Sequence, residues 1–177
     1  MNFRTAVTAD WEAIAQLHAE SWSDHYRGIL TDEYLDGPVF EDRRQVWQSR
    51  FEAPGPNQLV LVAEENGVLV GFVCACGEED PVWGAYIDNL HVRPNQKGKG
   101  IGKMLMQKTA QWILDTHTQH HFYLWVLEAN HSSRAFYEKI GGRHEERLVQ
   151  DIPDGGFAPC WRIVWPDARQ LWGAQEG

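Results

Sequence analysis

The sequence predicts an α+β fold in which a mixed, mostly antiparallel central sheet is flanked by helices. Two β-rich runs, 59–63 and 68–76, flank the two-residue turn Asn66-Gly67, which is typical of an antiparallel hairpin. Further along, 101–113 has the apolar period of a helix that lies on a sheet and separates two strands. A hairpin meander combined with a helical crossover gives a mixed sheet.

The first 51 residues are predicted to form a short strand followed by two helical segments. The strand covers 2–7, and Asp10 is the expected N-cap of the next helix. At ~100° per residue, one face of that helix carries an aromatic-rich stripe. The stripe consists of Trp11, Ile14, His18, Trp22 and His25. Its two histidines are expected to be buried and neutral. The chain breaks around Gly28, and Thr31 is the N-cap expected for the second segment.

Strands and helices alternate through the rest of the chain. A strand over 83–92 is stopped by Arg93-Pro94, because proline cannot continue a ladder. After the helix at 101–113 come a strand over 122–127 and a short helix that Asn130 opens. The last two strands, 143–150 and 157–165, form a hairpin around the turn 154–156.

Length and composition predict one folded domain spanning 1–177. A chain of 177 residues is long enough for one substantial core and short for two. The formal net charge of -9 argues against nucleic acid as a partner, because phosphate backbones are bound by basic surfaces. No secretory leader and no apolar run of about 18 residues is present, so we expect a cytoplasmic chain without a membrane partner.

The cysteine, histidine and tryptophan patterns suggest no metal centre. The three cysteines are an odd number and are expected as free thiols. His117, His120 and His121 lie close in sequence, but they straddle a helix end and a strand start, so His117 and His121 are not fixed as an i, i+4 pair on one helix and no metal site is expected. The tryptophans of 161–172 are expected in the core or at a homodimer surface.

The most informative segment is 90–105, LHVRPNQKGKGIGKML, in which a strand ends and a helix begins through three glycines. Glycine lets the backbone approach a ligand closely, and the free amides at a helix N-terminus attract anions. Five basic residues and no acidic residue lie within 93–108. This combination predicts a phosphate-binding turn.

Two other phosphate-binding motifs fail on single residues. A Walker loop requires Ser or Thr after Gly102-Lys103, where this chain has Met104. A dinucleotide-binding fingerprint starting at Gly98 requires a third glycine where Lys103 stands. The turn therefore belongs to another class of phosphate-binding site.

The segment Lys97-Gly98-Lys99-Gly100-Ile101-Gly102 resembles the R/Q-x-x-G-x-G/A signature of the GNAT superfamily, which follows a strand and opens a helix. A second GNAT-like segment, LEANHSSRAFYEKIGG, follows at 127–142. The predicted order of strands and helices is also similar to that of the superfamily. Lys97 departs from the usual Arg or Gln, while the glycine positions match. The resemblance implies a GNAT fold.

The same resemblance implies that acetyl-CoA is the co-substrate and that the glycine turn holds its pyrophosphate. In GNAT enzymes the end of the preceding strand pairs with pantetheine, and an asparagine that opens the next helix contacts the cofactor. The residues at these positions are Leu90, His91, Val92, Lys97, Gly98, Lys99, Gly100, Ile101, Gly102, Lys103 and Asn130.

Acetyl transfer to an amine requires a group that removes a proton, a donor that stabilises the oxyanion and an acid for the leaving thiolate. The resemblance gives the acid role to Tyr137, since similar enzymes place a tyrosine near the sulfur of CoA. The backbone amide of His91 or Leu90 is the oxyanion candidate.

The base is the weakest part of the resemblance. Many GNAT enzymes carry a glutamate at the position of Tyr86, so the usual base is missing. Asp88 shares the strand face of Tyr86 by the alternation of side chains and is the first substitute. Glu128, at the end of the next strand, is the second.

The resemblance therefore implies an N-acetyltransferase in which a primary amine, on a small molecule or a peptide, attacks acetyl-CoA directly in a ternary complex. Trp22 and Tyr26, on the first helix, are expected to contact this acceptor. One rival function is a non-catalytic acyl-CoA-binding sensor on the same fold, suggested by Tyr86. Another is a nucleotide-binding regulator, which rests on the glycine turn alone.

Overall fold

A computed structural model describes residues 1–173 of the chain. Within them, the strands are β1 Asn2–Thr5, β2 Gln58–Glu65, β3 Val68–Asp80, β4 Gly84–Val92, β5 Phe122–Leu127, β6 Arg143–Asp151 and β7 Phe157–Trp165. The helices are α1 Trp11–His25, α2 Asp32–Leu35, α3 Pro38–Glu52, α4 Ile101–Thr116, α5 His131–Lys139 and α6 Gln170–Gly173. Of these helices, none is long and apolar enough to span a bilayer.

The strands form one sheet in the order β1-β2-β3-β4-β5-β7-β6. The pairing of β4 with β5 is parallel, and the other described pairs are antiparallel. α4 is the crossover that makes the parallel pair possible. The expected hairpin turn is present, with positive φ at both Asn66 and Gly67. The predicted mixed, mostly antiparallel sheet is confirmed.

One face of the sheet is covered by α4 and α5. The predicted apolar face of α4 is buried at Ile101, Leu105, Met106, Thr109 and Ile113. These side chains pack with apolar residues of β3, β4, β5 and β7 in the largest core cluster. Each buried aliphatic side chain contributes roughly 1.5–3 kcal/mol through the hydrophobic effect, so this face fixes the position of the start of α4.

The other face is covered by α1 and α3. Ile14 and Leu17 of α1 pack with Trp47 of α3 against Phe72 of β3. The indole N–H of Trp47 donates to Nδ1 of the fully buried His18 at 3.0 Å. Burial lowers the pKa of His18 well below its usual range, which keeps the ring neutral as predicted.

The three predicted N-cap residues all stand at the start of their helices. Thr31 accepts a hydrogen bond from the N–H of Tyr34, and Asn130 accepts one from the N–H of Ser133 at 3.2 Å. Asp10 is the N-cap residue of α1 but forms no side-chain hydrogen bond to that helix. Its carboxylate instead accepts the N–H of Val7, across the 3-10 turn that precedes α1, and forms an ion pair with Arg4.

β4 and β5 pair over two residues and then separate. The register joins Ala85 to Phe122 and Tyr86 to Tyr123, and no later residue of β4 pairs with β5 in the described sheet. Beyond Tyr86 the backbone of β4 therefore has one edge that does not pair with a neighbouring strand in the described sheet.

β4 also carries a bulge just after the point of separation. Ala75 of β3 faces Ile87, and the adjacent Cys74 faces Asn89, so Asp88 has no partner on β3. A bulge bends the strand and shifts the alternation of its side chains. The bulge therefore sets the direction of the Asp88 side chain, at a point where the other edge of β4 is open.

Candidate active site

The separation of β4 from β5 opens a cavity of about 700 Å³. Its walls are the end of α1, the second half of β4, the glycine turn, the first turn of α4, β5, α5 and the loop between β6 and β7. Cavities of roughly 300–1,000 Å³ typically hold small-molecule ligands. Among the site residues predicted from the sequence, Glu128 and Lys99 are the two that do not line it.

The glycine turn presents unbonded backbone amides to this cavity. Gly98 and Gly100 have φ of +80° and +77°, a conformation that other residues rarely adopt, and the space beside both is open. No N–H group from Gly98 to Lys103 donates to another described residue, whereas that of Met104 donates to the carbonyl of Gly100 at 3.0 Å. Together with the positive end of the α4 dipole, these amides form an anion-binding site.

Two lysines add positive charge to the same region. Lys97 and Lys103 both line the cavity. The ammonium of Lys97 donates to Nε2 of His25, whose Nδ1 lies 2.6 Å from the carbonyl oxygen of Ser21 and must therefore carry the ring hydrogen. Burial lowers the pKa of Lys97. His25 thus borders the cavity, which its apolar-stripe position alone did not predict.

Two other basic residues counted in the sequence have structural partners. The guanidinium of Arg93 donates to Glu20 and to the carbonyl of Leu69, both at 2.9 Å. Lys99 donates to the side chain of Gln96 at 2.6 Å. The positive charge that faces the cavity is therefore smaller than the five basic residues of 93–108 suggested.

The open edge of β4 exposes the backbone of alternate residues. The N–H of Arg93 donates to the carbonyl of Val70 in β3 at 2.9 Å, and His91 lies opposite Phe72 of the same strand. Backbone N–H and C=O groups alternate in direction along a strand. Those of His91 therefore point towards β3, whereas those of Leu90 and Val92 point to the open edge. Of the two oxyanion candidates, this geometry favours the amide of Leu90.

The side chain of His91 is part of the buried wall of the cavity. Its Nδ1 lies 2.8 Å from the hydroxyl of Ser21, and its ring packs 4.5 Å from that of His18. Burial, followed by electrostatic effects of His25, Arg43 and Lys97, lowers the pKa of His91 to about 3. The imidazole is therefore neutral, and its role here is packing and hydrogen bonding.

Tyr137 reaches the cavity from the buried face of α5. Burial and then the neighbouring Tyr26 raise the pKa of the Tyr137 hydroxyl well above the usual range. Burial raises the pKa of Tyr26 to about 12, against the opposing effect of a hydrogen bond with Asn130. Both phenols are protonated at neutral pH, so Tyr137 can act as a hydrogen-bond donor.

Asp88 is the predicted carboxylate that the fold brings into the cavity. Its Oδ2 accepts hydrogen bonds from the guanidinium of Arg50 and, at 2.6 Å, from the side-chain amide of Asn89. Burial and then the negative charge of Asp88 raise the pKa of Tyr86 far above its usual range. Tyr86 therefore stays neutral and does not supply the negative charge of the glutamate that it replaces.

Glu128 faces away from the cavity. Its two carboxylate oxygens accept hydrogen bonds from Arg147 at 2.6 and 3.0 Å, and one of them also accepts the indole N–H of Trp161 at 3.0 Å. The hydrogen bonds from Arg147 lower the pKa of Glu128. Glu128 lies outside the cavity because β5 ends at Leu127 and the chain there leaves the sheet towards α5.

Two loops that the sequence did not connect meet beside the cavity. Ile152, in the loop between β6 and β7, lines the cavity and packs, as Trp22 and Tyr26 do, against the apolar cluster that contains Leu30 and Leu35. Asp154 of the same loop accepts the backbone N–H of Thr31 at 2.8 Å. The only sequence signal was an isolated apolar residue within the polar segment 150–156.

A sequence profile of the Acetyltransferase (GNAT) family matches residues 11–142. The chain belongs to the GNAT acetyltransferase family. The match spans both GNAT-like segments, from the helix before the sheet to the glycines after α5, so this acetyltransferase shares with its family the region that surrounds the cavity. Membership makes the chain an enzyme and disfavours the sensor and regulator alternatives.

Individual relatives extend the similarity beyond that region. An uncharacterized N-acetyltransferase, YuaI of Bacillus subtilis, is 25% identical over 175 residues, covering 95% of this chain and 94% of its own. The L-amino acid N-acyltransferase MnaT of Escherichia coli is 28% identical, covering 80% and 78%. The PaiA N-acetyltransferase of Thermoplasma acidophilum, solved with coenzyme A, shares the fold at a TM-score of 0.72 and 22% identity, covering 92% and 96%.

We predict that Gly100→Asp weakens acetyl-CoA binding by at least about 100-fold, because it places a negative charge beside the free amides. Gly100→Asn is the matched control, since it has the same size and a similar tolerance for positive φ but no charge. Isothermal titration calorimetry with acetyl-CoA measures both, and thermal unfolding checks the fold. Equal affinities of the two folded variants would show that the turn does not bind the pyrophosphate.

Proposed function

We propose that this acetyltransferase transfers an acetyl group from acetyl-CoA to a primary amine by direct attack in a ternary complex. The observation that carries the proposal is that one cavity contains the unbonded amides of the glycine turn, the open edge of β4, Tyr137 and Asp88. These features supply an anion site, a peptide-like edge, a hydrogen-bond donor and a carboxylate along one continuous space.

The cofactor is oriented by the backbone more than by side chains. The amides from Gly98 to Lys103 bind the pyrophosphate, with Lys97 and Lys103 adding charge. The backbone of Leu90 and Val92 pairs with the amides of pantetheine, as a neighbouring strand would. Asn130, which caps α5, lies beside this path. The thioester is then placed at the level of the bulge in β4.

At that point one bond forms and one breaks. The amine nitrogen attacks the thioester carbon, the amide of Leu90 stabilises the oxyanion, and the C–S bond breaks to release CoA as a thiolate. Asp88 takes the proton from the amine directly or through one water and passes it to solvent, while Tyr137, in the acid position, donates a hydrogen bond to the sulfur as the C–S bond breaks. Because the pKa of Tyr137 is raised, its phenolate is a stronger base than a thiolate of pKa ~8.5, so its main contribution is to stabilise that thiolate as it forms.

A covalent acyl-enzyme route is disfavoured by the one cysteine in the cavity wall. Cys160 lies on β7 and borders this space, which no sequence pattern indicated. Burial raises the pKa of its thiol, and the thiol donates weakly to the carbonyl of Ala158 at 3.7 Å. A protonated, buried thiol is a poor nucleophile, so direct transfer to the amine is the simpler mechanism.

The acceptor is a small-molecule or peptide amine that binds in the cavity beside the end of α1. Trp22 and Tyr26 form the wall that contacts the acceptor, and Asp88 lies where the amine nitrogen of the acceptor must be placed for the reaction. Among the relatives, MnaT is named for acylation of L-amino acids, which supports an amine as the acceptor class.

The proposed activity predicts amine-dependent release of CoA thiol from acetyl-CoA. Three probes represent the main amine classes: L-methionine, N-α-acetyl-L-lysinamide and spermidine. We expect at least one to raise thiol release clearly above hydrolysis, measured with a thiol reagent, with Gly100→Asp as the inactive control. Tight binding of acetyl-CoA without turnover on any wider amine set would instead support a sensor.

Tyr137→Phe is predicted to lower kcat by roughly 10- to 1000-fold while changing acetyl-CoA affinity little, because it removes only the hydroxyl that meets the leaving sulfur. Tyr34→Phe is the matched control: Tyr34 is as buried as Tyr137 but does not line the cavity. Steady-state kinetics and calorimetry separate the two effects. Wild-type turnover of Tyr137→Phe would show that Tyr137 is only a core packing residue.

Asp88→Asn is predicted to lower kcat/KM for the amine most at low pH. An alkylamine of pKa ~10.4 is almost entirely protonated at neutral pH, so the loss of a proton acceptor is on the order of 100-fold there and shrinks as the pH approaches ~10. Glu128→Gln, outside the cavity, is the control and should follow the wild-type profile. A profile for Asp88→Asn parallel to wild type would remove the base role from Asp88.

A further inference from the structure

The carboxylate of Asp88 is held at one oxygen and free at the other. Oδ2 receives both donors, the guanidinium of Arg50 and the amide of Asn89, whereas Oδ1 accepts no hydrogen bond from any residue in 1–173. Asp88 lines the cavity and its side chain is 24% exposed, while Arg50 lies behind it and is not part of the wall. The free oxygen is therefore the one available to a ligand.

Arg50 is itself fixed on three sides. Its guanidinium stacks over the ring of Trp47 at 5.0 Å, lies 3.6 Å from Sγ of Cys74 and pairs with Asp88. Trp47 is fully buried and is bonded to His18, so this support belongs to the rigid core between α3 and the sheet. Because Arg50 is held by this core, its position on α3 fixes the position of the Asp88 side chain on the bulge of β4.

A competing arrangement exists next to this carboxylate. The effect of Asp88 on the pKa of Tyr86 shows that the Tyr86 hydroxyl is close to it, on the same face of β4. Without Arg50, this phenol is available as a donor to the carboxylate. A carboxylate rotated to accept it would no longer direct Oδ1 at the incoming amine.

We propose that Arg50 is a positioning residue of the acceptor site: by holding Oδ2 of Asp88, it keeps Oδ1 directed at the incoming amine. This inference rests on the proposed function of Asp88. The acceptor is received as an ammonium cation and gives its proton to Oδ1 or to a water bound there. Arg50 has no contact with the acceptor itself.

The proposal predicts that Arg50 acts only through Asp88, which a double-mutant cycle measures. With the most active amine of the three probes, Arg50→Met should lower kcat/KM about 10-fold at neutral pH and leave the KM for acetyl-CoA unchanged. In the Asp88→Asn background the same substitution should change kcat/KM less than about 2-fold. Arg50→Lys, which keeps the charge, should restore part of the activity.

Arg44→Met is the matched control, since Arg44 lies on the same helix, is exposed and pairs with Glu12. It should change none of these values. A crystal structure of Arg50→Met is the readout that needs no acceptor, and we expect the Asp88 carboxylate to be rotated towards Tyr86.

The outcomes separate the two proposals. If Asp88→Asn is impaired but Arg50→Met is silent, or lowers kcat/KM equally in both backgrounds, Arg50 is a structural residue and the inference is overturned. If Asp88→Asn behaves as wild type, the base role of Asp88 fails and the inference fails with it. An unchanged Asp88 rotamer in folded Arg50→Met would also overturn the inference.

Discussion

The separation of β4 from β5 is the constraint on which the whole site depends. Two parallel pairs at Ala85 and Tyr86 join the halves of the sheet, and beyond them the strands diverge. Because each half is anchored by its own helices and antiparallel partners, the gap persists as a cavity. Unpaired backbone groups inside a protein are costly unless a ligand or water binds them, so the open edge of β4 is itself a binding surface.

The charges of the site are arranged so that an acidic protein can hold an anionic cofactor. The net charge of -9 gives no general attraction for phosphate, and the glycine turn compensates locally with backbone amides, a helix dipole and two lysines. At the bulge the sign of the charge facing the cavity is the opposite: the carboxylate of Asp88 lines the cavity, and its partner Arg50 lies behind the wall. The two ends of one cavity therefore suit an anion and an ammonium group.

Burial keeps most titratable groups around the cavity neutral. His18 and His91 are held unprotonated, and Tyr26, Tyr86 and Tyr137 are held protonated, for the same reason: a charged form would lose its hydration without gaining a partner. Asp88 differs from these groups in having two side-chain donors, Arg50 and Asn89, on its carboxylate.

The sequence by itself determined the strand and helix order, the hairpin at Asn66-Gly67, the apolar face of α4 and the glycine turn, because each depends on local spacing and backbone preference. It also placed Tyr137 among the candidates through the resemblance to GNAT enzymes, and Asp88 through its place two residues after Tyr86 on an alternating strand. It could not determine that Glu128 is turned outwards to Arg147, that Arg50 holds Asp88, or that Asp154 binds the backbone of Thr31. Those contacts join residues 19 to 123 positions apart, and only the packing of helices on both faces of a divided sheet decides which of them meet.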